Sequence, residues 1–362
     1  MKIKKITMTD IARAAGVSQT SVSLILNGKE NSTFSPATVE KVHSAARSLG
    51  YQPRLAPTPA RCARNIMVLS VNGTNPYYTT MLQSIEQEAY RQRYHVFSCH
   101  SYRDPQLESD YLDLALKMKV SGLICLSYPH CPEKLHEVAL QIPVVCICDK
   151  EEGLSVDIVE MQHSASGALL IDHLASLGHK RIAMVTSALE ENRGRMAYMD
   201  GLRAQMERHG LADSFAVYMA EAHPFAEMED ANADYSIGYS LLQDEAVYRS
   251  GTTAFVCTND SMALGVVDAI LEKGYRIPED FSVCGSDNLL YSQLRAISLT
   301  TVDHRMETKG KSAMELLMRK MDLLRDNRPD GLSDQFTIKY QPRLVVRGST
   351  GPAPQKPPKP HK

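Results

Sequence analysis

Apolar positions recur at two different periods along the chain. Over the first 50 residues they follow helical spacing: Ile11, Ala12 and Ala15, then Val22, Ile25 and Leu26, then Val39, Val42, Ala46 and Leu49. Thr9 can cap the first of these segments, Gly16 permits a tight turn, Ser18 can cap the second, and Ser35 followed by Pro36 opens the third, which Gly50 ends. The pattern predicts three short helices, the first two as a helix-turn-helix. From residue 66 the pattern changes to apolar runs at 66–72, 95–99, 123–127, 144–149, 182–187, 216–221, 254–258 and 281–287, most of them separated by helical stretches such as 78–93 and 261–274. Repeated strand and helix units predict parallel sheets covered on both faces. Eight strands could form one sheet or two.

Charge sharpens the division. Residues 1–65 hold ten Lys or Arg against three acids, whereas the remaining residues hold 30 against 39. A basic head on an acidic body points to a polyanion at one end only. The second predicted helix presents Ser18, Gln19, Thr20 and Ser23 on its N-terminal face, short enough for its backbone to approach the major groove, and Gln19 can pair with adenine. The alternative is a small-molecule-binding protein of the cytoplasm whose head contacts protein. Eight scattered cysteines without a CxxC pair read as free thiols in a reducing cytoplasm, Cys146 and Cys148 as strand thiols rather than zinc ligands, and no apolar run is long enough to span a bilayer.

In parallel sheets, ligands bind beyond the carboxyl ends of the strands. That rule selects 72–78 after the first strand, Asp149, Asn259 with Asp260, and Asp287 with Asn288. Carboxylates and amides beside Tyr77 and Tyr78 suit a polyhydroxylated ligand. Each has a plainer reading, since an Asp after a strand often caps the next helix, and Asp260 could cap one here. Enzyme signatures are missing: "KGKS" at 309–312 has Arg305 where a phosphate loop needs glycine, and HExxH, GxSxG and GxGxxG do not occur. No catalytic residue, cofactor or metal is expected.

The segment "TDIARAAGVSQTSVSLILNG" resembles the DNA-reading unit of the LacI family of bacterial transcription regulators, and "NPYYTTMLQSIEQEA", "LGHKRIAMV", "AFVCTNDSMALGVVDAILEKGYRIPEDFSVCGSDN" and "LTTV" resemble family blocks in the right order. The resemblance runs from about residue 7 to residue 347. It implies a helix-turn-helix head at 1–52, a hinge at 53–65, and an α/β body at 66–347 made of two Rossmann-like subdomains, like sugar-binding periplasmic proteins. It also implies a homodimeric repressor on operator DNA, controlled by a small-molecule effector, a sugar or sugar derivative, bound between the subdomains. DNA contacts then fall to Thr9, Ser18, Gln19, Thr20, Ser23, Leu24 and Asn27, and effector contacts to Tyr77, Tyr78, Asp149, Asn259 and Asp287.

Three departures accompany it. The family's effector-gripping arginine falls at Tyr198 in the register set by "GLRAQMERHGL", with Arg195 one turn earlier. An Asp-Asn pair becomes His163-Ser164. Leu24 replaces an arginine, which predicts a half-site without dependence on a guanine at that step. In the hinge, Pro57 and Pro59 break the family's helix, but "TPARCARN" reads as a shifted cassette capped by Thr58 and closed by Asn65. Arg61 and Arg64 then reach DNA, and Ala63 takes the place of a wedging leucine. The end, 348–362, rich in proline and lysine, is expected to be a disordered tail.

Overall fold

A computed structural model of the chain describes residues 7–26, 34–49, 64–151, 153–189, 192–221, 226–325 and 334–361. It divides into two compact units, residues 1–62 and 63–362.

In the first unit the helices are α1 (Met8–Ala15), α2 (Gln19–Leu26) and α3 (Pro36–Ser48). Thr7, not Thr9, opens α1: the Asp10 carboxylate accepts from both the Thr7 backbone N–H, at 2.9 Å, and the Thr7 hydroxyl. Placing the acid in the first turn favours the cap one residue pair earlier, because Asp10 then satisfies an otherwise unpaired N-terminal amide. Gly16 closes α1 in the left-handed region (φ 70°), where a Cβ would be strained. Ser18 caps α2 by accepting from Ser21 N at 3.0 Å, and Ser35 caps α3. Ile11, Ala12, Val22, Ile25, Val42 and Ala46 form the buried centre of this small bundle.

In the second unit, one sheet holds β1 (Asn65–Ser70), β2 (His95–His100), β3 (Gly122–Cys125), β4 (Val144–Ile147) and β5 (Asp157–Glu160), connected through helices α4 (Pro76–Arg91), α5 (Pro105–Met118) and α6 (Pro132–Ala139). The chain then crosses through α7 (His163–Ser176) into a second sheet of β6 (Ile182–Thr186), β7 (Phe215–Met219), β8 (Ala254–Cys257) and β9 (Ser282–Cys284). The helices between them are α8 (Arg193–Arg208), α9 (Ala226–Glu229), α10 (Ala233–Leu241), α11 (Glu245–Arg249) and α12 (Asp260–Glu272). It returns through β10 (Thr301–Asp303), α13 (Met306–Arg325) and β11 (Thr337–Lys339), and leaves again by β12 (Arg343–Val345). The sheet orders are β11-β5-β4-β3-β1-β2 and β7-β6-β8-β9, every pairing within them parallel, with β10 and β12 as an antiparallel pair. Two Rossmann-like lobes are thus joined by three crossovers.

All eight predicted runs contain strands. Those missed are β5, β10, β11 and β12, each three or four residues long, in the crossovers, where no full apolar run announces them. Asn65 is the first residue of β1 rather than the end of a hinge helix, because its backbone is drawn into the pairing with His95. "KGKS" lies within α13, and Lys309 buries its ammonium against Met161 O at 3.0 Å. Helices α7 and α8 meet backbone to backbone: a Cβ on Gly201 would fall 2.0 Å from Ser164 O, and one on Gly167 2.6 Å from Tyr198 O. Gly201 therefore serves helix packing, which brings the N-terminal turns of α7 and α8 together.

The end of the chain departs from the expectation of disorder. Ser349 bonds to β9 through its backbone oxygen, which accepts from Val283 N at 2.9 Å, and through its hydroxyl, which donates to Val283 O at 2.6 Å. Gly351 N donates to Ser282 Oγ at 3.1 Å, Ala353 N donates to Leu177 O, and His361 N donates to Gly274 O. The tail lacks apolar side chains to bury, but it covers the outer edge of β9 with backbone groups instead.

Candidate functional site

On the head, Ser18, Gln19 and Thr20 are exposed, Ser23 and Leu24 half-buried, and Val22 and Ile25 are turned into the bundle. Helical spacing accounts for this: positions 19, 20, 23 and 24 lie opposite the core stripe. Thr9 is exposed within the first turn of α1. Asn27, Arg61 and Ala63 lie outside the described residues. Arg64 is in the body, its guanidinium 5.8 Å from the Tyr94 ring centre and donating to Gln92 O at 3.5 Å.

In the body, a cavity of about 450 Å³ opens between the lobes, and all seven residues selected there line it: Tyr77, Tyr78, Asp149, Arg195, Tyr198, Asn259 and Asp287. The first lobe contributes Tyr77 and Tyr78 from the first turn of α4, packed edge to face with centres 5.0 Å apart, and Asp149 from the loop after β4. The second lobe contributes the others from the starts of α8 and α12 and the end of β9. Parallel strands of both lobes point their carboxyl ends at the same gap, which is why residues far apart in sequence converge.

Hydrogen bonds fix most of the polar groups. Asp149 accepts from Gln162 N at 2.5 Å and pairs with His163 Nδ1 at 2.8 Å. Burial alone would push its carboxyl up, but the charge and hydrogen bond of His163 and the backbone N–H groups of His163 and Gln162 hold it at about 2, below the ordinary 3.8. A depressed carboxyl stabilises the fold above its unfolded value and loses that contribution as pH falls from about 4 towards about 2. Asp149→Asn is therefore expected to cost about 2 kcal/mol near neutral pH, with the penalty shrinking below about pH 4. Urea unfolding across a pH series checks this, and a penalty independent of pH would refute it.

Asn259, rather than Asp260, caps α12. Its Oδ1 accepts from Met262 N at 2.8 Å and its Nδ2 donates to Asp234 Oδ2 at 2.7 Å. Asp260 sits one residue inside the helix, buried, where its carboxylate accepts from Leu289 N and the Thr301 hydroxyl. Arg195 also reaches Asp234, at 3.3 Å, so one carboxylate of α10 holds two of the lining side chains. Tyr198 forms the rear wall, buried, its hydroxyl donating to Cys257 O at 3.2 Å.

Asp287 is held at φ 119°, a conformation costly for a residue with a Cβ. Its N–H donates to Val302 O at 2.8 Å, and burial, then the nearby Asp260 and Asp234, push its carboxyl well up despite Arg195. His304 Nε2 lies 3.9 Å away and shares a 2.7 Å hydrogen bond with Ser286 Oγ. Burial, with His163 and Lys309 nearby, pushes His304 well down and keeps the ring neutral.

Sequence reasoning missed His304, Arg193, Glu151, Tyr128, His130 and Asp234. His163 was visible as a departure from the family pattern, and its role follows from the Asp149 contact. Arg193 of the second lobe ion-pairs with Glu151 of the first and places its guanidinium 4.5 Å from the centre of the Tyr128 ring, also of the first. Its only sequence signal was a basic residue at the start of a helix.

Residues 7–54 match the family model described as "Bacterial regulatory proteins, lacI family", and residues 171–350 match a periplasmic binding protein-like domain. The HTH-type transcriptional repressor PurR of Haemophilus influenzae (strain PittEE) is 29% identical over 347 residues, covering 95% of this chain and 98% of that one. Among solved structures, a LacI family transcriptional regulator from Enterococcus faecium with bound ribose has a TM-score of 0.66 at 24% identity, covering 80% of this chain and 99% of that one. The lac repressor dimer bound to operator and the anti-inducer ONPF also scores 0.66 at 24% identity, covering 96% of this chain and 100% of that one. Head model, two-lobed body and full-length likeness agree: the chain belongs to the LacI family of bacterial regulatory proteins.

Proposed function

We propose that the protein is a homodimeric transcriptional repressor of the cytoplasm whose hold on operator DNA is set by a neutral, polyhydroxylated effector in the cleft, a sugar or sugar derivative. The observation that carries this is the cavity itself. Its volume of about 450 Å³ lies within the range of small-molecule sites. Its polar side chains are largely paired with one another, Asp149 with His163, Glu151 with Arg193, and Arg195 with Asp234. A rim of paired polar groups with tyrosine walls suits hydroxyl groups better than an ion.

The effector acts only through its different affinity for two lobe arrangements. The Arg193 contacts to Glu151 and Tyr128 exist when the lobes are close, so a ligand that favours closure is reinforced by them. On DNA, α2 lies in the major groove, with Gln19 reading a base and Ser18, Thr20 and Ser23 allowing close approach. The basic residue Arg61 of the hinge segment contacts the adjacent backbone or minor groove.

Binding of the full chain to DNA upstream of its own gene, followed by fluorescence anisotropy, tests the reading. A preference for particular sequences is expected, with affinity falling at least about tenfold between about 50 and 200 mM salt. No sequence preference and a flat salt response would remove the repressor reading and leave a head that contacts protein.

A further inference from the structure

His130, at the end of the loop between β3 and α6, lines the cavity, and its Nε2 is buried without a hydrogen-bond partner among the described residues. The rest of its surroundings are fixed. Glu108 of α5 is buried, and its Oε1 accepts from the backbone N–H groups of His130 at 2.8 Å and Cys131 at 3.0 Å. Its Oε2 lies 3.3 Å from His130 Nδ1. A carboxylate only accepts, so Nδ1 carries a proton, and in the neutral imidazole Nε2 is then the acceptor. Two backbone donors and the ring proton of one loop thus end on one buried acid, and the ring can neither turn nor exchange its tautomer without losing that contact.

A buried acceptor of a cavity-lining ring, unpaired among the described residues, is set up for a donor that arrives with the ligand. We propose that His130, oriented by Glu108, is a specificity-determining residue that accepts a hydrogen bond from a hydroxyl of the bound effector. It is placed on the first lobe, opposite the second-lobe residues Asn259 and Asp287, so the ligand is read from both sides of the cleft. This rests on the polyhydroxylated-effector reading above. The site distinguishes a ligand with a hydroxyl at that point from its deoxy counterpart, because without the hydroxyl Nε2 stays unpaired after the cleft closes.

The test uses the full chain and a melting-shift screen of aldopentoses, aldohexoses, hexitols and cellobiose, followed by calorimetric affinities for each compound that binds and for its single-position deoxy analogues. Wild type is expected to prefer the parent over one of these analogues by at least about tenfold, and His130→Phe to bind the two alike. His130→Gln, whose amide oxygen can still accept, keeps part of the preference. A residue that merely supports the loop would weaken parent and analogue together and leave their ratio unchanged, and that result overturns the assignment. If no compound binds wild type, the polyhydroxylated-effector reading falls, and the role of His130 falls with it. The two failures are therefore distinct.

Discussion

Lys320→Met is expected to destabilise the body by about 3–5 kcal/mol. Lys320 is buried in α13, with its ammonium 3.4 Å from Asp157 Oδ1 and also donating to Asp334 O. Asp157, the first residue of β5, is buried too, and its Oδ1 accepts from Phe336 N at 2.8 Å while its Oδ2 has no hydrogen-bond partner among the described residues. Burial pushes its carboxyl up, and the Phe336 N–H and then Lys320 only partly oppose this. Methionine fills the same space but leaves the acid uncompensated, and the loss of one partner from a buried pair costs more than the pair contributes net. Adding Asp157→Asn to Lys320→Met should therefore recover much of the loss, since the amide keeps an acceptor for Phe336 without a charge. Urea unfolding of the single and double variants decides it, and a double variant no more stable than the single one would show that Lys320 acts through packing.

The same residues show where sequence reading stops. The apolar pattern exposed the head bundle, whose helices each bury a stripe, and eight strands, six of which are near-continuous buried runs. It did not expose β5 or β11, whose pairing places Asp157 and Phe336 side by side through a lysine remote in sequence. The cleft was legible for a topological reason: residues just past parallel strands face a common gap whatever their identity. What was not legible is the pairing across that gap. His163 reaches Asp149 through a crossover, Arg193 reaches Glu151 and Tyr128 between lobes, and Asp234 gathers Arg195 with Asn259 from three separate helices of the second lobe. Spacing along one chain carries no signal for such contacts. Asn259 shows the two kinds of reading meeting, since one amide both caps α12 and lines the cavity.

Ending the chain after Gly348 is expected to cost about 3 kcal/mol or more, as the sum of several hydrogen bonds of about 0.5–1.5 kcal/mol each. The missing residues would expose the edge of β9, strip Thr300 N of its 2.8 Å bond to Ser349 Oγ, and leave Val283 without both of its bonds to Ser349. They would also take one partner from His179, which keeps Thr253 and Ser282. This imidazole is buried, with Nε2 3.1 Å from Gly351 O and Nδ1 2.8 Å from Thr253 Oγ1, and burial pushes its pKa down. With Nε2 donating to the carbonyl, Nδ1 accepts from the threonine, so the neutral ring joins the tail to the strand edge only while Gly351 is present. Ending the chain after Ala353 instead keeps all of these bonds and loses the half-exposed His361 contact to Asp280 and the His361 N–H bond to Gly274 O, for which a cost below about 2 kcal/mol is expected. Thermal and urea unfolding of the two truncations should therefore differ sharply. Equal stabilities would mean that the proline-rich end, although placed along β9, does not hold it.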